Sequence, residues 1–178
     1  PDKVFHLAGQ SFVPASWDQP TLTLDINTLG VGRILEAIKS YSPNSHFYQA
    51  SSAKMLGEPQ DPYSISKATA HLLVQAFRDH FKLFACSGIM YNHESPRRGP
   101  EFVTRKITLG AVKIKLGLEK TLALGNLDAR QDWGYAPDYV AAMWLMLQQD
   151  QPDDYTIASG QLHSVRDICD IAFSHLGL

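Results

Sequence analysis

The sequence predicts an α/β fold built on a doubly wound parallel sheet. Three short apolar segments, at 4–8, 46–50 and 83–90, have the length and composition of buried strands. Two segments with helical periodicity, at about 28–38 and 64–81, separate them. Strands that alternate with helices in this way form a parallel sheet with helices on both faces.

The first strand is predicted at 4–8, where an apolar run is followed directly by Gly9. Ligands often bind just beyond such a strand end in a parallel sheet. A helix is predicted next, because apolar residues recur at i, i+3, i+4 and i+7 over 28–38. Pro43 ends this helix, since proline cannot continue one.

The middle of the chain continues the same alternation. Residues 46–50 (HFYQA) form the second predicted strand, and a small polar turn follows at 51–54. A long helix is predicted at about 64–81 and a third strand at 83–90. These elements complete a strand, helix, strand, helix, strand order.

The second half of the chain has a different character. It begins with a loop at 96–100 that carries the densest positive charge in the sequence. The further predicted elements are a helix at 102–116, a strand at 121–124, a loop at 125–134, a helix at 138–148, a strand at 155–158 and a helix at 164–176. Asp138 and Ser164 are the residues expected to cap the last two helices.

Composition and charge exclude several classes of protein. Of the 178 residues, 44% are hydrophobic and 19% charged, so the chain is neither disordered nor a coiled coil. A net charge of −2 gives no general attraction to nucleic acid or to an anionic membrane. The longest apolar run, at 140–147, is far shorter than the roughly 20 residues of a membrane-spanning helix. Cys86 and Cys169 have no partners at metal-ligand spacing, so we expect no metal and a reduced, cytoplasmic protein.

Tyr63 and Lys67, at the start of the long helix, are candidate catalytic residues. Residues four apart lie on one face of a helix, so the Lys67 ammonium can sit beneath the Tyr63 phenol and lower its pKa. The phenol would then donate or accept a proton near neutral pH. Ser51 and Ser52 follow the preceding strand, and a hydroxyl there can bind the same substrate oxygen during hydride transfer. The alternative is a tyrosine and a lysine on a solvated helix face.

This order of strand, serine and YxxxK helix resembles the extended short-chain dehydrogenase/reductase family. Within that family, essentially the whole chain is similar to the GDP-mannose 4,6-dehydratases. The segments that carry the resemblance are LAGQS at 7–11, FYQASS at 47–52, NHESPRRG at 92–99, FVTRK at 102–106, LGNLDA at 124–129 and DWG at 132–134. The NHESPRRG and FVTRK segments distinguish this branch from epimerases of the same fold.

The resemblance implies an NADP-dependent lyase that converts GDP-mannose to GDP-4-keto-6-deoxymannose. In such enzymes the cofactor takes a hydride from carbon 4 of the sugar, water leaves across carbons 5 and 6, and the hydride returns to carbon 6. The resemblance assigns Tyr63 as the base at the carbon-4 hydroxyl and Lys67 as the residue that holds the nicotinamide ribose and tunes Tyr63. It places Ser52 as the hydroxyl that assists Tyr63.

The resemblance also implies two groups of binding residues. The cofactor contacts would be Leu7, Ala8, Gly9, Gln10, Ser11, Lys67, His93 and Arg98. The nucleotide sugar would contact Asn92, Val103, Lys106 and Arg130. Arg97 and Arg98 present planar guanidinium groups that suit phosphate, and a solvated basic loop is the alternative for them.

In terms of domains, the resemblance assigns residues 1–91 to the C-terminal part of an NADP-binding Rossmann domain. Residues 92–178 would form mostly a small α/β nucleotide-sugar domain, with about 126–148 returning to the Rossmann domain. No GxGxxG turn for a pyrophosphate occurs in the sequence, so we expect the N-terminal strands of the sheet to lie outside this chain. The residue that distinguishes NAD from NADP would lie outside it too, which leaves both cofactors open.

The family also implies a homodimer or homotetramer. Two helices of each subunit pack into a four-helix interface in the family, and here they would be the helices at 28–40 and 64–81. Their apolar content is compatible with burial on two sides.

Two positions depart from the family pattern. Lys54 stands where the family has the Glu that removes a proton from carbon 5, and an ammonium is no base unless burial lowers its pKa by several units. Gln131 stands where the family has an Arg that grips the diphosphate, with Arg130 one place earlier. Two alternatives therefore stay open: a nucleotide-sugar 4-keto reductase or epimerase, and an inactive homologue that binds nucleotide sugar.

Overall fold

The computed structural model describes all 178 residues and divides them into two compact units. Unit 1 comprises Pro1–Tyr91 and Asp138–Ile157, and unit 2 comprises Asn92–Pro137 and Ala158–Leu178. The segment Asp138–Ile157, which returns to unit 1, therefore begins and ends later than the segment at about 126–148 that was expected to return. It supplies a helix and the fourth strand of the unit 1 sheet.

The chain contains seven strands and seven α-helices. In order they are β1 (Lys3–His6), α1 (Val13–Asp18), α2 (Pro20–Leu24), a π-helical turn (Asp25–Leu29), α3 (Gly30–Tyr41), β2 (His46–Ala50), a 3-10 turn (Ala53–Met55), α4 (Pro62–Phe81), β3 (Ala85–Met90), β4 (Asn92–Glu94), α5 (Val103–Lys115), β5 (Arg130–Tyr135), α6 (Ala136–Met146), β6 (Asp154–Ile157), β7 (Leu162–Ser164) and α7 (Val165–His175).

Unit 1 is built on a four-stranded parallel sheet in the order β1-β2-β3-β6. On one face, α3 and α4 pack on the sheet through a buried apolar cluster that includes Leu35, Phe47 and Val74. On the other face, α6 packs through a second cluster that includes Tyr48 and Met143. The predicted parallel sheet with helices on both faces is therefore confirmed for this unit.

The N-terminus of α4 is fixed by a capping box. The Asp61 carboxylate accepts a hydrogen bond from the Ser64 backbone N–H at 2.8 Å, and the Asp61 N–H donates to the Ser64 hydroxyl at 3.2 Å. Pro62 occupies the first helical position, where its missing N–H costs nothing. The helix therefore starts two residues before the predicted Ser64, and this start places Tyr63 in its first turn.

The caps of the last two helices gave opposite outcomes. Ser164 accepts a hydrogen bond from the Asp167 N–H at 3.1 Å, so the predicted cap of α7 is confirmed. The predicted cap at Asp138 is wrong, because α6 already begins at Ala136 and Asp138 lies in its first turn.

Unit 2 contains a three-stranded sheet in the order β4-β5-β7, with α5 and α7. The pair β4-β5 is parallel and the pair β5-β7 is antiparallel. The strand predicted at 121–124 is wrong: this stretch has no regular structure, and Leu122 lies against Gly110 of α5. The predicted loop at 125–134 is partly wrong, because β5 begins at Arg130.

No helix combines the length and the apolar character that crossing a membrane requires.

Candidate functional site

Tyr63 and Lys67 lie on the first two turns of α4 and face the same side of it. The Lys67 Nζ atom is 5.9 Å from the centroid of the Tyr63 ring. Both residues are buried, with 8% and 7% of their surface exposed. The spacing of the two residues therefore brings an amine beside a phenol ring, and neither residue lies on a solvated helix face.

Burial changes the acidity of the Lys67 amine. Its Nζ donates a hydrogen bond to the Ala50 carbonyl, at the end of β2, at 2.9 Å. Because burial disfavours the charged ammonium, the pKa of Lys67 falls from its ordinary value of 10.5 to about 8. An amine with this pKa exchanges protons near neutral pH.

Ser52 lies just beyond the end of β2 and is buried. Its hydroxyl caps the 3-10 turn by accepting a hydrogen bond from the Lys54 N–H at 3.2 Å. The neighbouring Ser51 hydroxyl donates to the Met55 sulfur at 3.1 Å. Ser52 retains its hydroxyl proton for another acceptor in this arrangement, as the predicted role requires.

The loop at 7–11 follows the carboxyl end of β1, at the same edge of the sheet as Ser52. Leu7, Ala8, Gly9 and Ser11 are exposed, and Gln10 is half-buried. Backbone and side chains of this loop are thus open to a ligand, as the cofactor assignment requires.

Gly9 lies close to the Lys67 amine. A Cβ atom at Gly9 would stand 3.5 Å from Lys67 Nζ and 3.1 Å from Asn27 Oδ1. Even a methyl group at position 9 would crowd Asn27, so the glycine lets the loop backbone lie directly beside Asn27 and the Lys67 amine.

Sequence reasoning missed Asn27, which joins this loop to α4. Its side-chain amide accepts from the Gln10 N–H and donates to the Gln10 carbonyl, both at 2.9 Å. It also donates to the Ser66 hydroxyl at 3.0 Å, and Ser66 in turn donates to the Tyr63 carbonyl at 2.7 Å. The signal in the sequence was a polar residue, Asn27, in line with Val31, Leu35 and Ile38. The π-helical turn changes the helical period at Asn27, and this hides the alignment from a search at the regular α-helical period.

Lys54 lies on the 3-10 turn that follows Ser52 and is exposed. Its ammonium forms no hydrogen bond or ion pair within the chain. Lys54 is therefore not buried, and burial is the condition under which a lysine at this position could act as a base.

The remaining predicted binding residues lie in unit 2. Asn92 and His93 are half-buried on β4, and the Asn92 amide donates to the Gln131 side chain at 3.2 Å. The Arg98 guanidinium is 3.3 Å from a Glu94 carboxylate oxygen and 3.5 Å from the centre of the Phe102 ring. An intramolecular ion pair and a ring contact therefore hold Arg98 in place.

Lys106 lines a cavity of about 380 Å³ in unit 2, together with Pro100, Gly110, Lys113 and Leu122. Val103 is the first residue of α5, the helix that carries Lys106. Lys106 forms no ion pair or hydrogen bond through its ammonium, whereas Lys113 is paired with Glu119 at 2.7 Å. Lys106 is therefore the free cation of this cavity.

Arg130 and Gln131 begin β5. Successive strand residues point to opposite faces, so Arg130 does not reach the position of the Gln131 side chain. The exposed Arg130 guanidinium donates to the Leu162 carbonyl at 2.9 Å.

No group of three or more His, Cys, Asp or Glu side chains is placed to hold a metal ion.

Comparison with known proteins gives a consistent result. Residues 1–178 match the sequence profile of the family described as GDP-mannose 4,6 dehydratase. GDP-mannose 4,6 dehydratase 2 of Arabidopsis thaliana is 47% identical over 194 residues, covering 100% of this chain and 52% of the relative. The human GDP-mannose 4,6 dehydratase is 44% identical over 192 residues, covering 99% and 52%. Among solved structures, RMD from Pseudomonas aeruginosa complexed with NADPH has a TM-score of 0.94 and 26% identity, covering 100% of this chain and 67% of that one.

The chain spans about half the length of the curated relatives it matches. The alignment with the Arabidopsis relative is 194 residues long against 178 here, so that relative has additional residues within the matched region. The similarity to RMD confirms a Rossmann fold of the extended short-chain dehydrogenase/reductase type. Because the profile match extends over every residue, this chain belongs to the GDP-mannose 4,6-dehydratase family.

Proposed function

We propose that this protein is an NADP-dependent GDP-mannose 4,6-dehydratase, which forms GDP-4-keto-6-deoxymannose by internal hydride transfer and elimination of water. The observation that carries the proposal is the buried Lys67 amine, with a pKa of about 8, beside the Tyr63 ring. Membership of the dehydratase family supports the substrate and the reaction.

The exposed loop at 7–11, whose Gly9 backbone lies beside the Lys67 amine, supports a dinucleotide site at this edge of the sheet. When bound there, the nicotinamide would accept the hydride from carbon 4 and later return it to carbon 6. NADP is favoured over NAD because RMD, 26% identical, is complexed with NADPH.

Proton transfer at carbon 4 is assigned to unit 1. The Tyr63 phenol takes the proton of the carbon-4 hydroxyl as that carbon is oxidised, and the Ser52 hydroxyl donates a hydrogen bond to the same oxygen. The Lys67 ammonium stabilises the tyrosinate and binds the ribose hydroxyls of the cofactor. In this assignment unit 1 is the cofactor domain, with Leu7–Ala8–Gly9–Gln10–Ser11 along the nicotinamide.

Binding of the nucleotide sugar is assigned mostly to unit 2. Lys106 is a free cation in a cavity of about 380 Å³, which suits a phosphate or a base carbonyl. Asn92 and Val103 are the further proposed sugar-nucleotide contacts, and His93 and Arg98 are the proposed cofactor contacts. Arg130 is not among them, because it does not reach the position of the Gln131 side chain.

The test is a product assay. The purified protein is incubated with GDP-mannose and NADP, and the 4-keto-6-deoxy sugar is detected by its absorbance in alkali. The proposal expects this product without net formation of NADPH, because the hydride returns to the sugar in each turnover. NADPH accumulation, or binding of GDP-mannose without any product, would contradict it.

A second candidate function is a nucleotide-sugar 4-keto reductase or epimerase, and the state of Lys54 favours it. Lys54 is exposed and so lacks the burial that would make it a base at carbon 5, and elimination would need another base. The discriminating assay supplies NADPH with a 4-keto-6-deoxy nucleotide sugar. Consumption of NADPH in this assay, together with no product from GDP-mannose, identifies the reductase. In that case we expect Lys54→Glu to introduce elimination of water.

We also propose that the protein forms a homodimer or a homotetramer. Ile65 and Leu72 of α4 are 45% and 62% exposed, and Leu22 and Leu29, on α2 and the π-helical turn packed beside α4, are 47% and 54% exposed. The outer face of α3 is polar instead, so the second interface helix would be the α2 and π-helical segment rather than the whole of 28–40.

A cytoplasmic location is proposed because both cysteines are free thiols.

A further inference from the structure

Helix α4, which carries Tyr63 and Lys67, packs on the sheet through Ala70 and Val74, with the partly buried Leu73 and Phe77 beside them. Its buried residues are Tyr63, Ser64, Ser66, Lys67, Ala70 and Val74. Ile65, Leu72 and Phe81 are exposed instead. Apolar contact is not directional, so it fixes the distance of the helix from the sheet better than the position of the helix along its own axis.

A single carboxylate supplies the missing directional contacts. Asp154, the first residue of β6, accepts two hydrogen bonds from the Arg78 guanidinium, at 2.9 Å and 3.0 Å. It accepts a third from the Gln75 amide at 2.8 Å, and His71 Nε2 is 3.6 Å away. The side chains of Asp154, His71 and Arg78 are 11% to 14% exposed, so water screens these interactions little.

The same carboxylate is also tied to the centre of the sheet. The Ser87 backbone N–H donates to it at 3.1 Å, and Arg78 additionally donates to the Ala85 carbonyl at 3.1 Å. Both of these residues belong to β3. Asp154 therefore connects α4 to two neighbouring strands at once, which a contact to one strand alone would not achieve.

The donors on α4 lie on the face that also carries Lys67. Lys67, His71, Gln75 and Arg78 follow one another at spacings of four, four and three residues, which line one side of a helix. The Lys67 amine makes the corresponding contact at the other end of this row, to the Ala50 carbonyl at 2.9 Å.

We propose that Asp154 is a positioning residue for Lys67: by holding His71, Gln75 and Arg78, its carboxylate sets where α4 stands along the sheet and thereby keeps the Lys67 amine buried at the end of β2. The placement of Lys67 is argued from these contacts alone. Its consequence for turnover rests on the proposed function.

A small shift of α4 along its axis would be enough to break the hydrogen bond of Lys67. The rise of an α-helix is about 1.5 Å per residue, so a shift of even one residue would separate Lys67 Nζ from the Ala50 carbonyl beyond hydrogen-bonding distance. A misplacement of about 1 Å in a catalytic group can cost roughly a hundredfold in rate.

The test measures the pKa of Lys67 directly, without any substrate. In protein labelled with 13C at lysine Cε, the Lys67 resonance is assigned by its disappearance in Lys67→Arg, and its chemical shift is followed from pH 6 to 11. For Asp154→Ala, we expect the pKa of Lys67 to rise from about 8 by on the order of one unit, because a displaced amine regains water.

The sign of this shift separates positioning from simple electrostatics. Removing a negative charge destabilises a nearby ammonium, so a direct effect of the lost carboxylate would lower the pKa of Lys67. A lowered or unchanged pKa in folded Asp154→Ala would therefore overturn the proposal.

Matched variants control for stability and for charge. Asp153→Asn removes a neighbouring exposed carboxylate, and Val74→Ala weakens the apolar packing of the same helix. Neither should change the pKa of Lys67. Should Asp154→Ala fail to fold, Gln75→Ala removes one donor and retains the ion pair, and its expected rise is smaller but of the same sign; no rise in this variant would overturn the proposal.

Enzyme activity is measured separately from the titration of Lys67. If the proposed function holds, kcat should fall about tenfold or more in Asp154→Ala, while KM for GDP-mannose stays within about twofold, because the nucleotide-sugar residues are assigned to unit 2. A wild-type protein without activity would contradict the proposed function and leave the Lys67 titration as the test of the positioning role.

Discussion

Among single residues, Lys67 determines what the site can do chemically. An exposed lysine would be fully charged at neutral pH, whereas the buried Lys67 amine, with a pKa of about 8, is close to its titration point. Its neighbours are the Tyr63 ring, the Ala50 carbonyl and the backbone at Gly9. In the proposed reaction the phenol gains and loses a proton in one turnover, and it benefits from a neighbour whose charge can change at that pH.

Tyr63→Phe tests the phenol itself. The variant keeps the ring beside Lys67 and removes only the hydroxyl, so we expect kcat to fall by about 10²- to 10⁴-fold, the usual contribution of a general acid or base. NADP affinity, measured by titration of tryptophan fluorescence, should stay within about twofold of wild type. Full activity in this variant would remove Tyr63 from the mechanism.

Gly9→Ala tests the close approach of the loop at 7–11 to Asn27 and Lys67. The new Cβ would stand 3.1 Å from Asn27 Oδ1, which is closer than ordinary van der Waals contact. We expect the free energy of unfolding in urea to fall by about 1 kcal/mol and NADP binding to weaken severalfold. Gly125→Ala is the matched control, because no atom lies within 4 Å of the added Cβ. Equal NADP affinity in the two variants would mean that no ligand approaches Gly9.

At the scale of secondary-structure elements, three aspartates position strands and helices. Asp61 begins α4 and Asp154 holds its other half, as described above. In unit 2, the buried Asp132 carboxylate on β5 accepts hydrogen bonds from the Ser159 and Gly160 N–H groups, at 3.0 Å and 2.8 Å. This anchor holds the turn that precedes β7 against β5, the strand that carries Arg130 and Gln131.

The pH dependence of unfolding tests the Asp132 anchor. Burial alone would raise its pKa, but the backbone N–H groups of Ser159, Gly160 and Gln161 hold the pKa of Asp132 below its ordinary value. A depressed pKa contributes stability above the unfolded value of about 3.9, and this stability is lost as the pH falls through the folded value.

Asp132→Asn should therefore lower the free energy of unfolding at pH 7 by about 1–3 kcal/mol, since an amide NH₂ cannot accept from a backbone N–H. The loss of stability between pH 4 and pH 2 should be smaller in this variant than in wild type. The measurement is urea denaturation across that pH range, with the exposed Asp170→Asn as control. An unchanged acid sensitivity would exclude Asp132 as its source.

At the scale of the whole molecule, exposed apolar residues on α4 provide a test of assembly. Leu72→Glu places a charge at a position that is 62% exposed and outside the buried core. If α4 forms the proposed subunit interface, the oligomer should dissociate to monomers in size-exclusion chromatography with light scattering, because the buried charge would lack a partner. Leu118→Glu, at a 71% exposed position in unit 2, should leave the mass unchanged. An unchanged mass for Leu72→Glu would place the interface elsewhere.

Much of unit 1 could be predicted from sequence, and the reasons are local. The second strand was predicted with its observed bounds, His46–Ala50, because a short apolar run with turn residues on both sides has few other structures open to it. Helix α4 was predicted to within two residues of its start, because its apolar residues, among them Ile65, Leu72 and Phe77, recur at helical spacing. Helices α1 and α2 were missed, since each has six residues or fewer and neither has room for a clear apolar period.

The sequence by itself determined the alternation of strands and helices, the YxxxK pair and the family of the chain, because periodicity and motif spacing are properties of neighbouring residues. The tertiary structure alone decided which groups act on that pair: Asn27 joins the loop after β1 to Ser66, and Asp154 reaches His71, Gln75 and Arg78 from a strand more than 75 residues further along the chain. Such contacts depend on where distant segments meet in the sheet, and a carboxylate at position 154 has no local signal that distinguishes it from an exposed one.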